Sequence, residues 1–463
     1  MKWTTACLAP LLGLAAAGSK AQIGQHVIFS YPGETPPEHL FDLIRAGEVG
    51  GVIIFGENVT EDLPETIERF LSTYRESPAY NGTPLLIMTD QEGGQIRRLP
   101  GAPEQTAREV GDSSDPFAAA GEMGAGAAET LTSYNMNANL APVLAVYREE
   151  GDFTDRYGRS YSNNATVVSG CAAQFVENQQ GANVLATAKH FPGLGAAATE
   201  ENTDERPVTI DISLDEIRTV DEVPYHDVIQ AGVAMIMPSW AIYPALDAER
   251  PAGMSSRWIQ EELRGRLGYD GVIITDAIEA GSLGAFGDDN NRALLAKKAG
   301  VDLLLASGRN VTQGESIVAA LDAALESGEL SQDELDASKS RQAWQLDHLA
   351  VVLIIREGIQ VDMSSMQSNC FFTVSLAQRL EEKASNSVHL YSDPPPALEC
   401  PSTRLQEPEC QGYYRAQFVW EEPGHFRLVR VDRTAGGIED PPVAHYTRRS
   451  CSVFTYSLRR CGD

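Results

Sequence analysis

The chain of 463 residues is 43% hydrophobic, which is enough to bury one large core or two ordinary ones. Its formal net charge of -29 and isoelectric point near 4.6 make the surface strongly acidic. Such a surface repels nucleic acid and anionic membranes, so neither is expected as a partner, and it suits a secreted protein that works at mildly acidic pH.

Residues 1–21 have the pattern of a secretory signal peptide. Lys2 supplies a short positive region, residues 6–14 are apolar, and small residues at 15–17 or 19–21 offer a cleavage site. The apolar stretch is shorter than the roughly 20 residues that a membrane anchor needs. We therefore expect a secreted protein whose mature chain begins near Gln22.

Two further features bear on secretion. Asn-x-Ser/Thr triplets, the acceptors of N-linked glycans, occur as a group at Asn58, Asn81, Asn164 and Asn310. Outside the signal peptide, Cys171 stands alone before residue 360, whereas five cysteines follow that residue. Any disulfide framework is therefore expected in the C-terminal region, and no Cys/His spacing predicts a zinc site.

Apolar runs rich in β-branched residues predict eight strands, near 25–30, 50–55, 84–90, 139–146, 184–190, 233–238, 271–276 and 301–306. Amphipathic segments between them predict helices, the clearest near 61–74, 163–178, 214–231, 257–267 and 290–299. Eight strand–helix repeats favour an α/β fold of the (β/α)8 barrel type. A doubly wound open sheet is the alternative, but no G-x-G-x-x-G motif opens any of the helices.

Two local signals fall within the predicted helix at 214–231. Ser213-Leu214-Asp215-Glu216 is a capping box, in which Ser213 accepts from a free backbone N–H and Glu216 reaches back to the chain. Pro224 predicts a kink or a break in the helix.

The character of the sequence changes after residue 345. An apolar run at 349–355 is followed by Ser- and Cys-rich sequence, a triple proline at 394–396 and aromatic-dotted stretches without a sustained helical or strand period. We therefore expect a barrel over 22–345 and an irregular, cysteine-containing tail over 346–463. The tail is either a small appendage held by disulfides or poorly ordered sequence, and we favour the second interpretation.

Several predicted strands end abruptly in polar or ionisable residues. The clearest are the segments 85–94, 139–144, 189–195 and 271–276. In a parallel barrel the carboxyl ends of the strands meet at one face, so we expect these side chains to converge there.

Taken together, these segments resemble the N-terminal barrel domain of family 3 glycoside hydrolases, most closely the branch of bacterial β-N-acetylglucosaminidases (β-N-acetylhexosaminidases). The matching pieces occur in the order of the family over residues 22–330. They are Asp-Gln-Glu-Gly-Gly at 90–94, Leu-Ala-Pro-Val at 140–143, Gly-Arg-Ser-Tyr at 158–161, Lys-His-Phe-Pro-Gly at 189–193 and the strand that ends in Thr275-Asp276.

The resemblance implies a role for each matching side chain. Asp276 corresponds to the catalytic nucleophile of a retaining glycosidase, whereas by itself it could equally cap the next helix. Sugar-binding positions correspond to Asp90, Arg159, Lys189 and His190, although His190 could also be a core histidine with satisfied hydrogen bonds. Since neighbours on a strand point to opposite faces, Lys189 and His190 can both reach the site only if their strand has already ended.

One part of the family's machinery is missing. In the acetylglucosaminidase branch the Lys-His-Phe-Pro-Gly loop continues to an Asp-Ser-His triplet, whose His acts as general acid/base. An ungapped match places Glu200, Glu201 and Asn202 at that triplet, and Asn202 cannot transfer a proton. Ala145 also stands where the family usually has an Asp.

Two interpretations remain open. Glu200 or Glu201, or else Asp204 or Glu205, supplies the acid through a raised pKa, or the loop is only solvated acidic surface. The sequence therefore predicts a retaining β-glycosidase acting through Asp276 on a carbohydrate substrate, with no metal or organic cofactor implied. The alternative is a catalytically silent sugar-binding protein on the same barrel. The resemblance implies β-N-acetylglucosaminides or related β-linked sugars as substrates.

Overall fold

A computed structural model describes residues 20–342, apart from 81 and 83, together with the backbone of 413–422, 425–434 and 453–459. The chain forms two compact units, of which the first ends at Leu349 and the second begins at Ala350. The predicted signal peptide, except for its last two residues, and most of the predicted tail lie outside the described residues. Within the part described, no helix is long and apolar enough to cross a membrane.

The first unit is a closed eight-stranded parallel barrel. Each strand pairs with its neighbours in sequence and the last pairs with the first, so the predicted (β/α)8 topology is confirmed. The strands are β1 (Val27–Phe29), β2 (Gly51–Ile53), β3 (Leu86–Thr89), β4 (Ala138–Asn139), β5 (Leu185–Phe191), β6 (Met235–Pro238), β7 (Val272–Ala277) and β8 (Leu303–Leu305). Five of the predicted runs contain their strand, and the runs at 184–190 and 271–276 end one residue before theirs. The run at 139–146 overlaps its strand only at Asn139.

A helix follows each strand. The main helices are α1 (Glu38–Ala46), α2 (Leu63–Arg75), α3 (Pro116–Ser133), α4 (Ala165–Gly181), α5 (Val223–Gln230), α6 (Arg257–Arg266, a π-helix), α7 (Asp289–Ala299) and α8 (Val311–Glu326). Short helices at Ala107–Gly111, Leu214–Glu216 and Ile217–Asp221 precede α3 and α5, and a last helical segment covers 332–342. Two small hairpins, Gln91–Gly93 with Ile96–Arg97 and Ile242–Tyr243 with Asp247–Pro251, lie outside the barrel sheet.

Alternate strand residues fill two separate apolar layers, as the period of two requires. Inside the barrel, Ile28, Met88, Met235 and Ile274 belong to one buried cluster. Their strand neighbours, such as Phe29, Ile87 and Ile273, pack outward with the helices.

Capping side chains set the helix boundaries. Ser213 accepts from the backbone N–H of Glu216 at 3.1 Å, as predicted, but the Glu216 carboxylate contacts Arg148 and does not complete the capping box. The helix breaks before α5, in which Pro224 occupies the first turn, as its ring requires. Asn164 and Asn310 are exposed caps of α4 and α8.

The predicted glycan acceptor Asn58 is not available in the fold. Its side chain is buried and donates to the carbonyl oxygens of Tyr31 and Gly33, and it accepts from the backbone N–H of Phe55. A glycan there would remove these contacts, so this triplet is structural.

The amino-terminal end of the barrel is held by buried ion pairs around Asp302, which directly precedes β8. Arg264 and Arg341 each approach the Asp302 carboxylate to 2.7 Å, and the backbone N–H of Ile273 donates to it at 2.8 Å. Nearby Lys297 is buried and donates to the backbone carbonyls of Val301 and Asp302, and burial lowers the pKa of Lys297 to about 8. This network joins the segment 332–342 to the barrel.

The second unit contains regular structure where the sequence was expected to be irregular. Tyr413–Glu422 pairs antiparallel with both His425–Thr434 and Val453–Arg459, which forms a three-stranded sheet. These strands lie within the tail predicted over 346–463, whose order elsewhere stays a prediction. Phe454-Thr455-Tyr456-Ser457-Leu458 alternates between apolar and polar residues, which is the period of a half-buried strand, but each run is short and isolated in sequence. The predicted disulfides fall outside the described side chains.

Removing all residues after 345 is expected to leave a folded barrel, because the described barrel elements end at residue 342. Ending the chain after residue 330 should destabilise it, since Arg341 is then lost from buried Asp302 and Leu335 leaves the core. Breaking one side of a buried ion pair costs about 3–5 kcal/mol. Urea unfolding followed by circular dichroism measures both truncations.

Two point variants isolate the contribution of the ion pair. Arg341→Ala should lower the free energy of unfolding by about 2–4 kcal/mol. Lys298→Ala, which removes an exposed pair with Glu329, should change it by less than about 0.5 kcal/mol. Equal stability of the two variants would contradict the proposed role of Arg341. A chain ended at 345 that precipitates would place the apolar run 349–355 in the barrel core.

Candidate active site

The predicted site residues meet at the carboxyl end of the barrel, the face that carries the active site in enzymes of this fold. Asp90 directly follows β3, Lys189 and His190 belong to β5, and Asp276 belongs to β7. Arg159 comes from the loop between β4 and α4. Of the positions predicted from the sequence, these five converge.

A buried ion network forms one side of the site. The Lys189 ammonium lies 2.7 Å from Asp90 Oδ1 and 2.8 Å from Glu92 Oε1. Arg159 donates through Nε and Nη2 to the two oxygens of Glu92, each at 2.8 Å. Glu92 was not predicted as a site residue. The signal was present, since residues two apart on extended backbone share a face and Glu92 stands two places after Asp90.

The partners decide the charge of each group. Burial by itself would raise the pKa of Glu92, but Arg159 and Lys189 outweigh it and hold that pKa at about 2. Burial also opposes ionisation of Asp90, yet Lys189 and Arg98 lower its pKa. The same contacts raise the pKa values of Lys189 and Arg159 against the effect of burial. All four groups are therefore ionised at mildly acidic and neutral pH, two of each sign.

Lys189 and His190 both reach the site although their strand has not ended. The strand β5 continues to Phe191, so the expectation that it stops before these residues is wrong. Its pairing with β6 has an irregular register between Lys189 and Phe191. Such an irregularity re-aims a side chain that regular pleating would turn away.

His190 is buried but is not a satisfied core histidine. Its Nε2 lies 3.7 Å from Asp276 Oδ2, beyond hydrogen-bond distance, and its Nδ1 has no hydrogen-bond partner among the described residues. Burial and the neighbouring Lys189 and Arg159 cations keep its pKa well below the usual value. His190 is therefore a neutral imidazole that faces Asp276.

Asp276 lies at the end of β7 with 17% of its side chain exposed. Its Oδ1 accepts from the backbone N–H of Ala277 at 2.7 Å. The helix-capping alternative is wrong, because Asp288 caps α7. Burial, followed by the charge of Asp204, raises the pKa of Asp276 to about 7.

The loop that was expected to supply the acid places its four carboxylates differently. Glu200 is exposed, the Glu201 carboxylate accepts from the backbone N–H of Ala198 at 2.8 Å, and the Glu205 carboxylate accepts from Asn202 at 3.0 Å. Asp204 alone among them contributes to the shift in the pKa of Asp276. Its own pKa is raised by desolvation, against the opposing effect of the Arg159 cation.

The backbone around Asp204 is attached to the chain that follows β7. The carbonyl of Asp204 accepts from the N–H of Gly281 at 2.7 Å, and that of Thr203 accepts from Ser282 at 3.2 Å. A Cβ at position 281 would lie 2.4 Å from the carbonyl oxygen of Glu205, so only glycine permits this close approach. The loop and the Asp276 strand are thus held together. No group of His, Cys, Asp and Glu among the described residues is arranged to hold a metal.

The family model "Glycosyl hydrolase family 3 N terminal domain" matches residues 21–343. An uncharacterized secreted glycosyl hydrolase from Arthroderma benhamiae is 57% identical over 336 residues, which cover 73% of this chain and 94% of that protein. A β-hexosaminidase from Tolumonas auensis is 33% identical over 271 residues, 57% of this chain and 77% of the relative.

The solved structures agree. A family 3 β-N-acetylglucosaminidase from Paenibacillus superposes with a TM-score of 0.66 at 28% identity and covers 78% of this chain and 66% of its own. A β-N-acetylhexosaminidase from Beutenbergia cavernae gives a TM-score of 0.61 at 27% identity, covering 74% and 98%. The family match, the barrel and the convergent strand ends lead to one conclusion: this chain belongs to glycosyl hydrolase family 3 and is a glycosidase.

Proposed function

We propose that this protein is a secreted retaining β-glycosidase that cleaves β-N-acetylglucosaminides or related β-linked sugars, with Asp276 as its nucleophile. The observation that carries the proposal is the placement of Asp276. Its carboxylate is held by the N–H of Ala277 at the end of a barrel strand, beside neutral His190 and the ion network of Lys189.

The chemistry needs a rigid, partly buried carboxylate. In a retaining reaction this group attacks the anomeric carbon to form a glycosyl-enzyme, which water then hydrolyses. A carboxylate whose solvation has been removed by burial is a stronger nucleophile than one in water, and the N–H of Ala277 limits its orientation. Asp276 is both held in place and partly buried, since it lies among protein groups and 17% of its side chain is exposed at the carboxyl end of the barrel.

The ion network is suited to bind hydroxyl groups. Asp90, with 17% of its side chain exposed, offers carboxylate oxygens, and the unpaired His190 ring offers a donor and an acceptor. Lys189 and Arg159 are more enclosed, at 3% and 14% exposure, and already contact Glu92. We infer that Asp90 and His190 contact the sugar directly, while Lys189 and Arg159 fix the carboxylates in place.

The substrate class is supported by the relatives. The Tolumonas relative is named as a β-hexosaminidase, and the Paenibacillus neighbour as a β-N-acetylglucosaminidase. Secretion is supported by the pattern of residues 1–21 and by the Arthroderma relative, which is named as secreted. Carbohydrate is therefore the proposed partner.

A silent sugar-binding protein is the second candidate, and Asn202 is the observation that favours it. Asn202 stands where the related branch has its general acid/base and cannot transfer a proton. Aryl β-glycosides with good leaving groups separate the two candidates, since they need little acid assistance. An enzyme turns them over, and a binding protein does not.

The first prediction concerns turnover. Wild-type protein should hydrolyse at least one nitrophenyl β-glycoside, with the N-acetylglucosaminide as first choice, between pH 4 and 8. Asp276→Asn should lower kcat at least about 10³-fold, because the amide keeps the shape of the side chain and removes the nucleophile. Asp211→Asn, at an exposed position, serves as the control. Wild-type rates in Asp276→Asn would rule out the proposed nucleophile.

The second prediction concerns stability. The pKa of Asp276 is about 7 in the folded protein and near 3.9 when unfolded. The folded state therefore binds a proton that the unfolded state has released, and stability falls as pH rises from about 4 to 7. Asp276→Asn should be more stable than wild type at pH 8 by an amount on the order of 2–4 kcal/mol, and equally stable at pH 4. Calorimetric Tm values across this range give the comparison, with Asp211→Asn as control. Parallel curves for Asp276→Asn and wild type would show that Asp276 is not destabilised by its surroundings.

A further inference from the structure

We propose that Asp204 is the general acid/base of this enzyme, in place of the histidine used by the related branch. The proposal rests on the retaining chemistry proposed for Asp276. It differs from the expectation from sequence, which favoured Glu200 and Glu201 because they align with the missing triplet.

The first argument is the position of the backbone. Hydrogen bonds from Gly281 and Ser282 to the carbonyls of Asp204 and Thr203 hold this turn against the chain that follows Asp276. Thr203 is buried, which anchors the turn from its other side. Asp204 is therefore fixed to the same strand end as the nucleophile, a requirement for two groups that act on opposite sides of one bond.

Asn202 provides the second argument. Its side-chain oxygen accepts from the N–H of Asp204 at 3.0 Å, and its amide donates to the carboxylate of Glu205. This is the Asx-type turn that asparagine favours. Asn202 thus aligns with a residue that transfers protons in the related branch, but here it stabilises a turn. The turn engages the Glu205 carboxylate in a hydrogen bond, whereas Asn202 contacts only the backbone of Asp204.

The other carboxylates are less suited. Glu201 is used to accept from Ala198 within its own turn, and Glu205 is held by Asn202. Glu200 and Asp204 are both exposed, but of these two Asp204 is the one whose backbone is hydrogen-bonded to Gly281 in the chain that follows β7. Among the described residues, none donates a hydrogen bond to the Asp204 carboxylate. Its oxygens remain available to a leaving group.

Electrostatics supports the pairing. Asp204 and Asp276 are like charges that disfavour simultaneous ionisation, and both pKa values are raised. Around Asp204 lie the cations Arg159 and Lys189 and the carboxylates Asp90 and Glu205. The retaining reaction starts from the form of the pair in which Asp204 carries the proton and Asp276 is ionised, and the N–H of Ala277 stabilises that ionised carboxylate.

The resulting steps are balanced. A carboxylate oxygen of Asp276 bonds to the anomeric carbon as the glycosidic C–O bond breaks, and the Asp204 proton passes to the leaving oxygen. In the second step the Asp204 carboxylate takes a proton from water, whose oxygen bonds to the anomeric carbon and releases Asp276. Asp204 ends protonated, ready for the next substrate.

The test compares two aryl β-glycosides of the sugar that wild type hydrolyses, with dinitrophenyl as the good and phenyl as the poor leaving group. Asp204→Ala should slow the phenyl glycoside about 10²–10⁴-fold in kcat/KM and the dinitrophenyl glycoside less than about 10-fold. Sodium azide should accelerate turnover of the dinitrophenyl glycoside by Asp204→Ala and yield the β-glycosyl azide, since azide needs no general base. The basic limb of the pH profile should disappear in Asp204→Asn.

Control variants make the outcomes distinct. Glu200→Gln, Glu201→Gln and Glu205→Gln are tested in parallel, and Asp211→Asn shows the effect of an Asp-to-Asn change on an exposed side chain. Unchanged Tm values show that the variants are folded. An unaltered ratio of the two rates in Asp204→Ala, or the selective loss in a Glu variant instead, would overturn the assignment of Asp204. Failure of wild type on both glycosides, or full activity of Asp276→Asn, would overturn the proposed function itself.

Discussion

The site is organised around one buried cation, Lys189. An ammonium with 3% of its side chain exposed is costly to bury unless it is paired, and here Asp90 and Glu92 accept it at 2.7 and 2.8 Å. Arg159 then binds Glu92 from the loop after β4. The ion pairs that compensate the buried charge of Lys189 thus hold the end of β3 and the β4–α4 loop in place. Asp276, the proposed nucleophile, and His190, a proposed sugar contact, lie beside this neutralised framework.

The charge of a buried carboxylate is compensated at one end of the barrel and only partly compensated at the other. At the amino-terminal end, Asp302 is fully buried and is compensated by Arg264, Arg341 and a backbone N–H. At the carboxyl end, burial and the nearby charge of Asp204 raise the pKa of Asp276 to about 7, and a single backbone donor opposes them only in part. Compensation stabilises the fold, whereas incomplete compensation leaves a group reactive. The amino-terminal end of the barrel therefore contributes to stability and the carboxyl end to chemistry, because the two carboxylates have different partners.

The loop after β5 is held in place differently from the residues at the strand ends. The residues on strands are held by the sheet, so Lys189, His190 and Asp276 have little freedom to be replaced by a neighbour in sequence. The segment from Ala198 to Glu205 is held instead by its own turns and by Gly281 and Ser282. In such a loop a short change in turn structure can move a different carboxylate toward the nucleophile. This is the physical basis for assigning the acid/base to Asp204.

The sequence by itself determined the barrel and most of its site. Eight apolar runs of strand length, separated by amphipathic helical segments, leave few alternatives to a closed parallel barrel. In such a barrel the carboxyl ends of all strands lie at one face, so polar residues that follow neighbouring strands lie close together. The sequence therefore predicted that the motifs around these residues form one site: Asp90, Arg159, Lys189, His190 and Asp276. Glu92 was readable from its spacing but was not recognised.

Only the tertiary structure decided which loop carboxylate approaches Asp276 and how Lys189 and His190 share one face. Alignment favoured Glu200 and Glu201 as the general acid/base. In the fold, hydrogen bonds to Asn202 and Gly281 hold Asp204 beside the chain that follows β7. The strands within 413–459 were likewise decided by pairing between segments that are separate in sequence. Strand and helix periods are local properties of a sequence, whereas the approach of a loop, an irregular strand register and the pKa of a buried group depend on residues that only the fold brings together.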